Sequence, residues 1–203
     1  MKVRITLTEE MLGTKPADPE VFGTYVASKH PSGTPERDEL ENAESVEQSG
    51  TTVFHKQNGV IGIYDYQVKG FFKDAAQFMR QADGAKSKTL TAYKTKIDGL
   101  IFVLPRFIGI TLPDGTTMGV CERPLRAETA QGPRVSLCRS QSVPAGSTLE
   151  FEVRMLATKL GKGEDAVLTA ALVAEWLAYG ELRGLGQWRN SGKGRFKTEI
   201  LPE

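Results

Sequence analysis

The chain is short of the residues that build covalent or metal scaffolds: it has two cysteines and two histidines in 203 residues. Cys121 and Cys138 stand without a CxxC pair or a Cys/His cluster. Two free thiols in a reducing compartment are therefore expected rather than a disulfide, and no zinc site of ordinary spacing can be drawn. Neither a metal nor an organic cofactor is expected. Long apolar runs are missing too. The most apolar stretch, Ala166 to Ala174, is too short to cross a bilayer, and MKVRITLTEE has no apolar h-region. A cytoplasmic protein with no membrane partner is expected. Excess charge of one sign is absent as well. The 26 Lys and Arg against 25 Asp and Glu leave +1, which gives no bulk attraction for a polyanion. Any nucleic-acid contact must rest on where the cations sit.

What is present fits one domain over residues 1–203, with insertions over about 9–63 and 105–147. Val3, Ile5 and Leu7 alternate with Arg4 and Thr6 as in a half-buried strand. Residues 9–50 carry four prolines and an acidic run from Glu36 to Glu47, which reads as a solvated surface excursion. A short strand over Thr51–Phe54 leads to a brief apolar piece, Val60–Tyr64. Asp65 is expected to cap a helix whose Val68, Phe71, Phe72, Ala75, Met79 and Ala82 recur at helical spacing, with Asp83-Gly84 at its end. A basic link, Lys86–Lys96, precedes an apolar strand, Ile97–Leu104. Phe107–Leu112 before Pro-Asp-Gly-Thr suggests a hairpin arm, and residues 120–147 read as irregular and arginine-rich. Alternation returns at Leu149, Phe151, Val153 and Met155. An apolar helix over Glu164–Tyr179 and a strand through Phe196, Thr198 and Ile200 complete the chain. Without its insertions the order is strand, helix, strand, strand, helix, strand. This is an α+β, ferredoxin-like (RRM-like) βαββαβ core.

Three constellations carry candidate chemistry. The segment Gly180 to Arg195 holds Arg183, Trp188, Arg189, Lys193 and Arg195 among five glycines. Glycine lets backbone N–H groups approach a phosphate, arginine offers forked donors to its oxygens, and an indole offers a face to a base. It lacks the Ser/Thr of a Walker loop after Gly192-Lys193 and the third glycine of a dinucleotide fingerprint. The start of the first helix, with Lys69 and Lys73 one turn apart and Gly70 between them, could draw an anion; Gly70 costs about 1 kcal/mol relative to alanine there. Tyr66 is a second candidate stacking surface. Arg123, Arg126, Arg134 and Arg139 sit on the middle insertion, as in projections that track phosphates.

With these residues in view, three segments in order resemble the RAMP superfamily of CRISPR-associated proteins, nearest its guide-RNA-binding backbone subunits. Val53 to Gly70 (VFHKQNGVIGIYDYQVKG) is similar to the strand and turn before the family's Ser-Ser-Leu-Lys-Gly helix, with Tyr66-Gln67 in place of Ser-Ser. Pro133-Arg134 and Arg139–Phe151 (RSQSVPAGSTLEF) resemble its Pro-Arg and Glu-Arg-Val-Pro-x-Gly-x-x-Phe stretch. Gly184–Phe196 resembles its C-terminal glycine-rich signature. The resemblance implies an RRM-like core with a thumb-like hairpin, binding guide RNA in an antiviral ribonucleoprotein. It also implies partners: single-stranded RNA, further copies in a filament, and other effector-complex subunits. A phage or mobile-element relative is equally compatible.

Some relatives cleave RNA, and His55, Asp38 and His30 are the weak candidates here. A lone histidine beside an apolar turn is more often structural, and acid–base chemistry requires a second group within hydrogen-bond reach. Binding without cleavage is the expectation. A metal-independent endoribonuclease using His55, and a phage-type assembly protein that binds no nucleic acid, are the alternatives.

Overall fold

The computed structural model describes residues 1–17, 51–129, 132–156 and 169–202, with the side chains of 125–129 and 132–136 left out. The described elements are β1 (Lys2–Leu7), β2 (Met11–Leu12), β3 (Lys15–Pro16), β4 (Thr51–Val53), β5 (His55–Gln57), β6 (Val60–Tyr64), α1 (Asp65–Met79), α2 (Tyr93–Leu100), β7 (Ile101–Leu104), β8 (Phe107–Thr111), β9 (Gly119–Thr129), β10 (Gly132–Val143), β11 (Thr148–Met155), α3 (Ala170–Arg183) and β12 (Phe196–Leu201).

β1 lies between β11 and β12, antiparallel to both, with Ile5 opposite Leu149 on one side and Thr198 on the other. β11 pairs through its second half with β7 and through its first residues with β8. The order β12-β1-β11-β7, with α1 and α3 in the crossovers, is the ferredoxin-like α+β core. β8, β6 and β5 extend the sheet beyond β11. A second sheet runs β2-β10-β4-β3, with β9 on β10.

The two-residue period of the strands decides what is buried. Val3, Ile5, Leu7, Leu149, Phe151 and Val153 point to one face and meet Val68, Phe71, Phe72 and Ala75 of α1 and Leu172, Val173, Trp176 and Leu177 of α3. Each large side chain removed from water here contributes about 1.5–3 kcal/mol. The Trp176 indole N–H donates to Ser87 Oγ (2.8 Å), and that hydroxyl donates to Glu175 Oε1 (2.6 Å), so the buried ring leaves no donor unmet.

Several expectations are corrected. Asp65 is the first helical residue of α1, not its cap. The cap is Tyr64, whose backbone N–H donates to Gln67 Oε1 (2.9 Å), and the Asp65 carboxylate sits in the first turn, where the helix dipole favours it. The apolar run from Ile97 is not strand throughout: Tyr93–Leu100 is helical and only Ile101–Leu104 is extended. Ile97 is the buried residue of that short helix, so an isolated apolar position gave no helical stripe to read. Within the stretch expected to be irregular, 120–147, residues Gly119–Thr129 and Gly132–Val143 instead form two long antiparallel strands, paired from Gly119 opposite Ser142 to Thr129 opposite Gly132. The second helix continues past Tyr179 to Arg183; its expected start at 164–168 lies outside the described residues. The surface excursion expected over 9–50 is corrected at its start, where Met11 and Leu12 are fully buried in β2, because they pair with β10; residues 18–50, with His30 and Asp38, lie outside the described residues. Among the described residues no helix is long and apolar enough to cross a membrane.

Candidate nucleic-acid interface

The base of the β9–β10 hairpin and the glycine-rich loop meet at Arg123. This arginine leaves β9 almost fully buried (7% exposed) and donates through Nη2 to Gln187 Oε1 (3.0 Å). Its guanidinium lies 4.9 Å from the Trp188 ring centroid, a cation–π arrangement that supports one side of the indole. Nε and Nη1 of Arg123 are buried with no hydrogen-bond partner among the described residues. The indole itself stays 39% exposed. Trp188 also adopts φ 54° and ψ 34°, the left-handed region, which costs a bulky aromatic about 1–3 kcal/mol unless its surroundings hold it there.

The loop is held in place by contacts that the sequence does not advertise. Gly194 N–H donates to Glu10 O, and Leu185 N–H to Gly194 O (both 2.8 Å). Gly186 packs so closely on β2 that a Cβ would stand 2.9 Å from Leu12 O, at φ 88°. Glycine here therefore serves loop docking as well as any ligand approach. Asp74 of α1 accepts through Oδ2 from Arg183 Nε (3.0 Å) and Arg189 Nη1 (2.9 Å). One carboxylate between two guanidiniums leaves that trio net positive. Arg183 also donates to Asn190 Oδ1. Arg195 is exposed and uses Nε on Leu182 O (3.0 Å).

Two depressions share Gly186 and Arg189 in their lining and so are neighbours. One, of about 340 Å³, is lined by Arg183, Gln187, Trp188 and Asn190. The other, of about 280 Å³, reaches Thr14, Gln67 and Gly70 of the α1 start. A Cβ on Gly70 would meet nothing within 4 Å, so this turn of helix lies open. The two depressions lie on either side of Gly186 and Arg189, between the first turns of α1 and the exposed indole, with Arg183 and Arg189 among their lining.

Not every expected cation joins them. Lys73 pairs with Asp98 of α2 (2.6 Å), and Lys69 donates to Asp98 O (3.3 Å) while lying over the Phe102 ring. Helical spacing explains the split: Gln67, Gly70 and Asp74 share one face of α1, and Lys69 and Lys73 share another. Lys193 is part-buried against Glu10, and that hydrogen bond holds its pKa above the ordinary value. Arg139 pairs with Glu122 (2.7 Å) across the hairpin. Arg126 and Arg134 lie on the hairpin opposite Val135 and Ala127; their side chains are outside the described ones. Gln187, Asp74, Asn190 and Glu10 are site residues the sequence did not single out. Glu10 is 183 residues from its partner, and no local spacing marks such a pair.

The open face of the central sheet is chemically different. Arg4 is held between Glu150 (2.8 Å) and Glu199 (3.4 Å), and Arg154 folds onto Glu152 (2.8 Å). With three carboxylates among its cations, it is a poor surface for phosphates.

His55 stands apart from both depressions, edge-on to Tyr64 (centroids 4.7 Å) and 3.4 Å from Tyr66 Oη through Nε2. Burial, and then the charge of Lys15, lower its pKa from the ordinary 6.5, so it is neutral at pH 7. Both cysteines are free thiols, and no group of three or more metal-ligating side chains occurs among the described residues.

No family model and no curated protein matches the sequence. Among solved structures the chain is similar to one in the cryo-EM structure of the Type III-B Cmr-beta bound to cognate target RNA, with a TM-score of 0.56 at 12% identity. The match covers 99% of this chain and 58% of that one, so this chain spans less than two thirds of its neighbour's length. At such identity the likeness is one of fold, the ferredoxin-like α+β type described above.

Proposed function

We propose that this protein binds single-stranded RNA, as a guide-RNA-binding backbone subunit of a CRISPR-type effector ribonucleoprotein that assembles in copies along the strand. The observation that carries the reading is the junction at Arg123. It joins the thumb-like hairpin to the glycine-rich loop and turns the Trp188 face toward a groove bordered by Arg183 and Arg189. Guanidiniums matched to phosphates give affinity without regard to sequence, and an exposed indole accepts any unpaired base. A continuous duplex offers no free base face, so the arrangement favours single strands. The fold likeness to a chain of an RNA-bound Cmr complex, and the RAMP-like segments, support the same reading.

The test is a titration of short single-stranded RNA at increasing salt. Binding should weaken linearly on a log–log scale, by about 0.7 in slope for each phosphate neutralised. Arg189→Ala leaves Asp74 paired with Arg183. It should lower affinity alike for every RNA sequence and reduce the slope by about 0.7. Binding that ignores salt, or an Arg189→Ala slope equal to the wild type, contradicts the proposal.

A further inference from the structure

A second cavity lies on the other side of the β6–α1 junction. Ile63 and Tyr64 are successive strand residues, so their side chains point to opposite faces. Ile63 borders one of the depressions described above, whereas Tyr64 borders an open cavity of about 680 Å³. Tyr64 and Phe107 form its aromatic wall, with ring centroids 5.6 Å apart and planes at 73°. Val60 (49% exposed) gives an apolar surface, while the amides of Gln57 and Asn58 and the guanidinium of Arg106 supply polar groups. Those three polar side chains are exposed and have no hydrogen-bond or ion-pair partner among the described residues. Among the described residues no carboxylate lines the cavity, and Arg106 is the one charged lining residue.

We infer that this cavity is a nucleotide subsite, taking one unpaired nucleobase against Tyr64 and Phe107 with its phosphate on Arg106. The volume lies in the range of small-molecule sites. Aromatic rings accept the flat faces of a base, and side-chain amides present the paired donor and acceptor that base edges require. A guanidinium with no partner among the described residues suits a phosphate, and none of the described lining residues is acidic to repel it. The Asn58-Gly59 turn, with both residues at positive φ, carries one of the amides on a tight β5–β6 connection. The nucleotide belongs to the strand held in the Trp188 groove, so its source rests on the proposed RNA binding; the chemistry of the cavity does not.

Photo-crosslinking with single-stranded RNA containing 4-thiouridine tests this. Crosslinks are expected at the peptides carrying Tyr64 or Phe107. Arg106→Ala, which removes the phosphate contact, and Val60→Glu, which sets a carboxylate at the cavity, should each reduce them about tenfold while Trp188 still crosslinks. Crosslinks at Trp188 alone, or Tyr64 and Phe107 crosslinks unchanged in both variants, overturn the inference. If wild-type protein binds no RNA, the groove reading fails instead. Titration with AMP then decides the cavity: binding lost in Arg106→Ala upholds it, and no binding to wild type overturns it.

Discussion

Replacing Trp188 with glycine should lower affinity for short single-stranded RNA by roughly 5- to 150-fold, the range expected when one base loses an aromatic partner worth about 1–3 kcal/mol. Glycine is the informative choice because of the backbone. At φ 54° a tryptophan is strained and a glycine is not, so Trp188→Gly removes the indole and relieves the main chain at once. The indole is 39% exposed and contributes little to the core. Thermal stability should therefore stay close to wild type while binding falls. Trp188→Phe should retain most of the affinity, since a phenyl ring still stacks. Equal affinity of Trp188→Gly and wild type by fluorescence anisotropy would show that no base rests there.

Gly194→Ala should act the opposite way, through the fold. A Cβ at this position would stand 1.8 Å from Leu185 O, with φ at 72°. The obstacle is backbone rather than the end of a flexible side chain, so it cannot swing aside. The same residue donates to Glu10 O and accepts from Leu185 N–H, so displacing it releases the loop from the chain after β1. We expect a destabilisation of about 3 kcal/mol by chemical denaturation and a loss of RNA binding of tenfold or more. Gly192 would place a Cβ 3.4 Å from the Arg195 guanidinium, an ordinary distance, whereas Gly184 would meet Lys193 O at 2.4 Å, so Gly194 has the tightest of several close backbone approaches in this loop. A Gly194→Ala protein of wild-type stability and affinity would mean that the loop does not need this geometry.

These two variants also mark how much was legible beforehand. β1 and β11 could be read because one face of each packs against helices, and burial writes itself into the sequence with period two. The β9–β10 hairpin carries no such pattern. Its strands are rich in arginine and broken by Pro124 and Pro133, and its regularity comes from pairing between the strands themselves. The short helix ahead of β7 begins at Ala92 in the left-handed region, without a Ser, Thr, Asp or Asn cap, and buries only Ile97. Its signal was too weak to separate from the strand that follows.

The candidate site was legible in kind but not in detail. Arginine, glycine and tryptophan together drew attention to residues 180–195, and the structure brings Arg123 of the middle insertion against that loop. What the sequence hid was which cations are already paired. Lys69 and Lys73 turn to Asp98, Lys193 to Glu10 and Arg139 to Glu122, all contacts set by the fold. Arg183 and Arg189 share Asp74, and Arg195, exposed, uses Nε on the Leu182 carbonyl. A net charge of +1 is thus compatible with a local basic groove, because much of the remaining charge is neutralised elsewhere.

The central claim is that hairpin base, glycine-rich loop and the start of α1 form one surface for a single strand. Hydrogen–deuterium exchange with and without a short RNA reads that surface directly. Exchange should slow together in residues 184–195, in 119–123 with 139–143, and around Gln67–Gly70, while β1 and β12 stay unchanged. Protection confined to β1, β11 and β12, with the loop exchanging as freely as in the unbound protein, would place the strand on the sheet face and contradict the account.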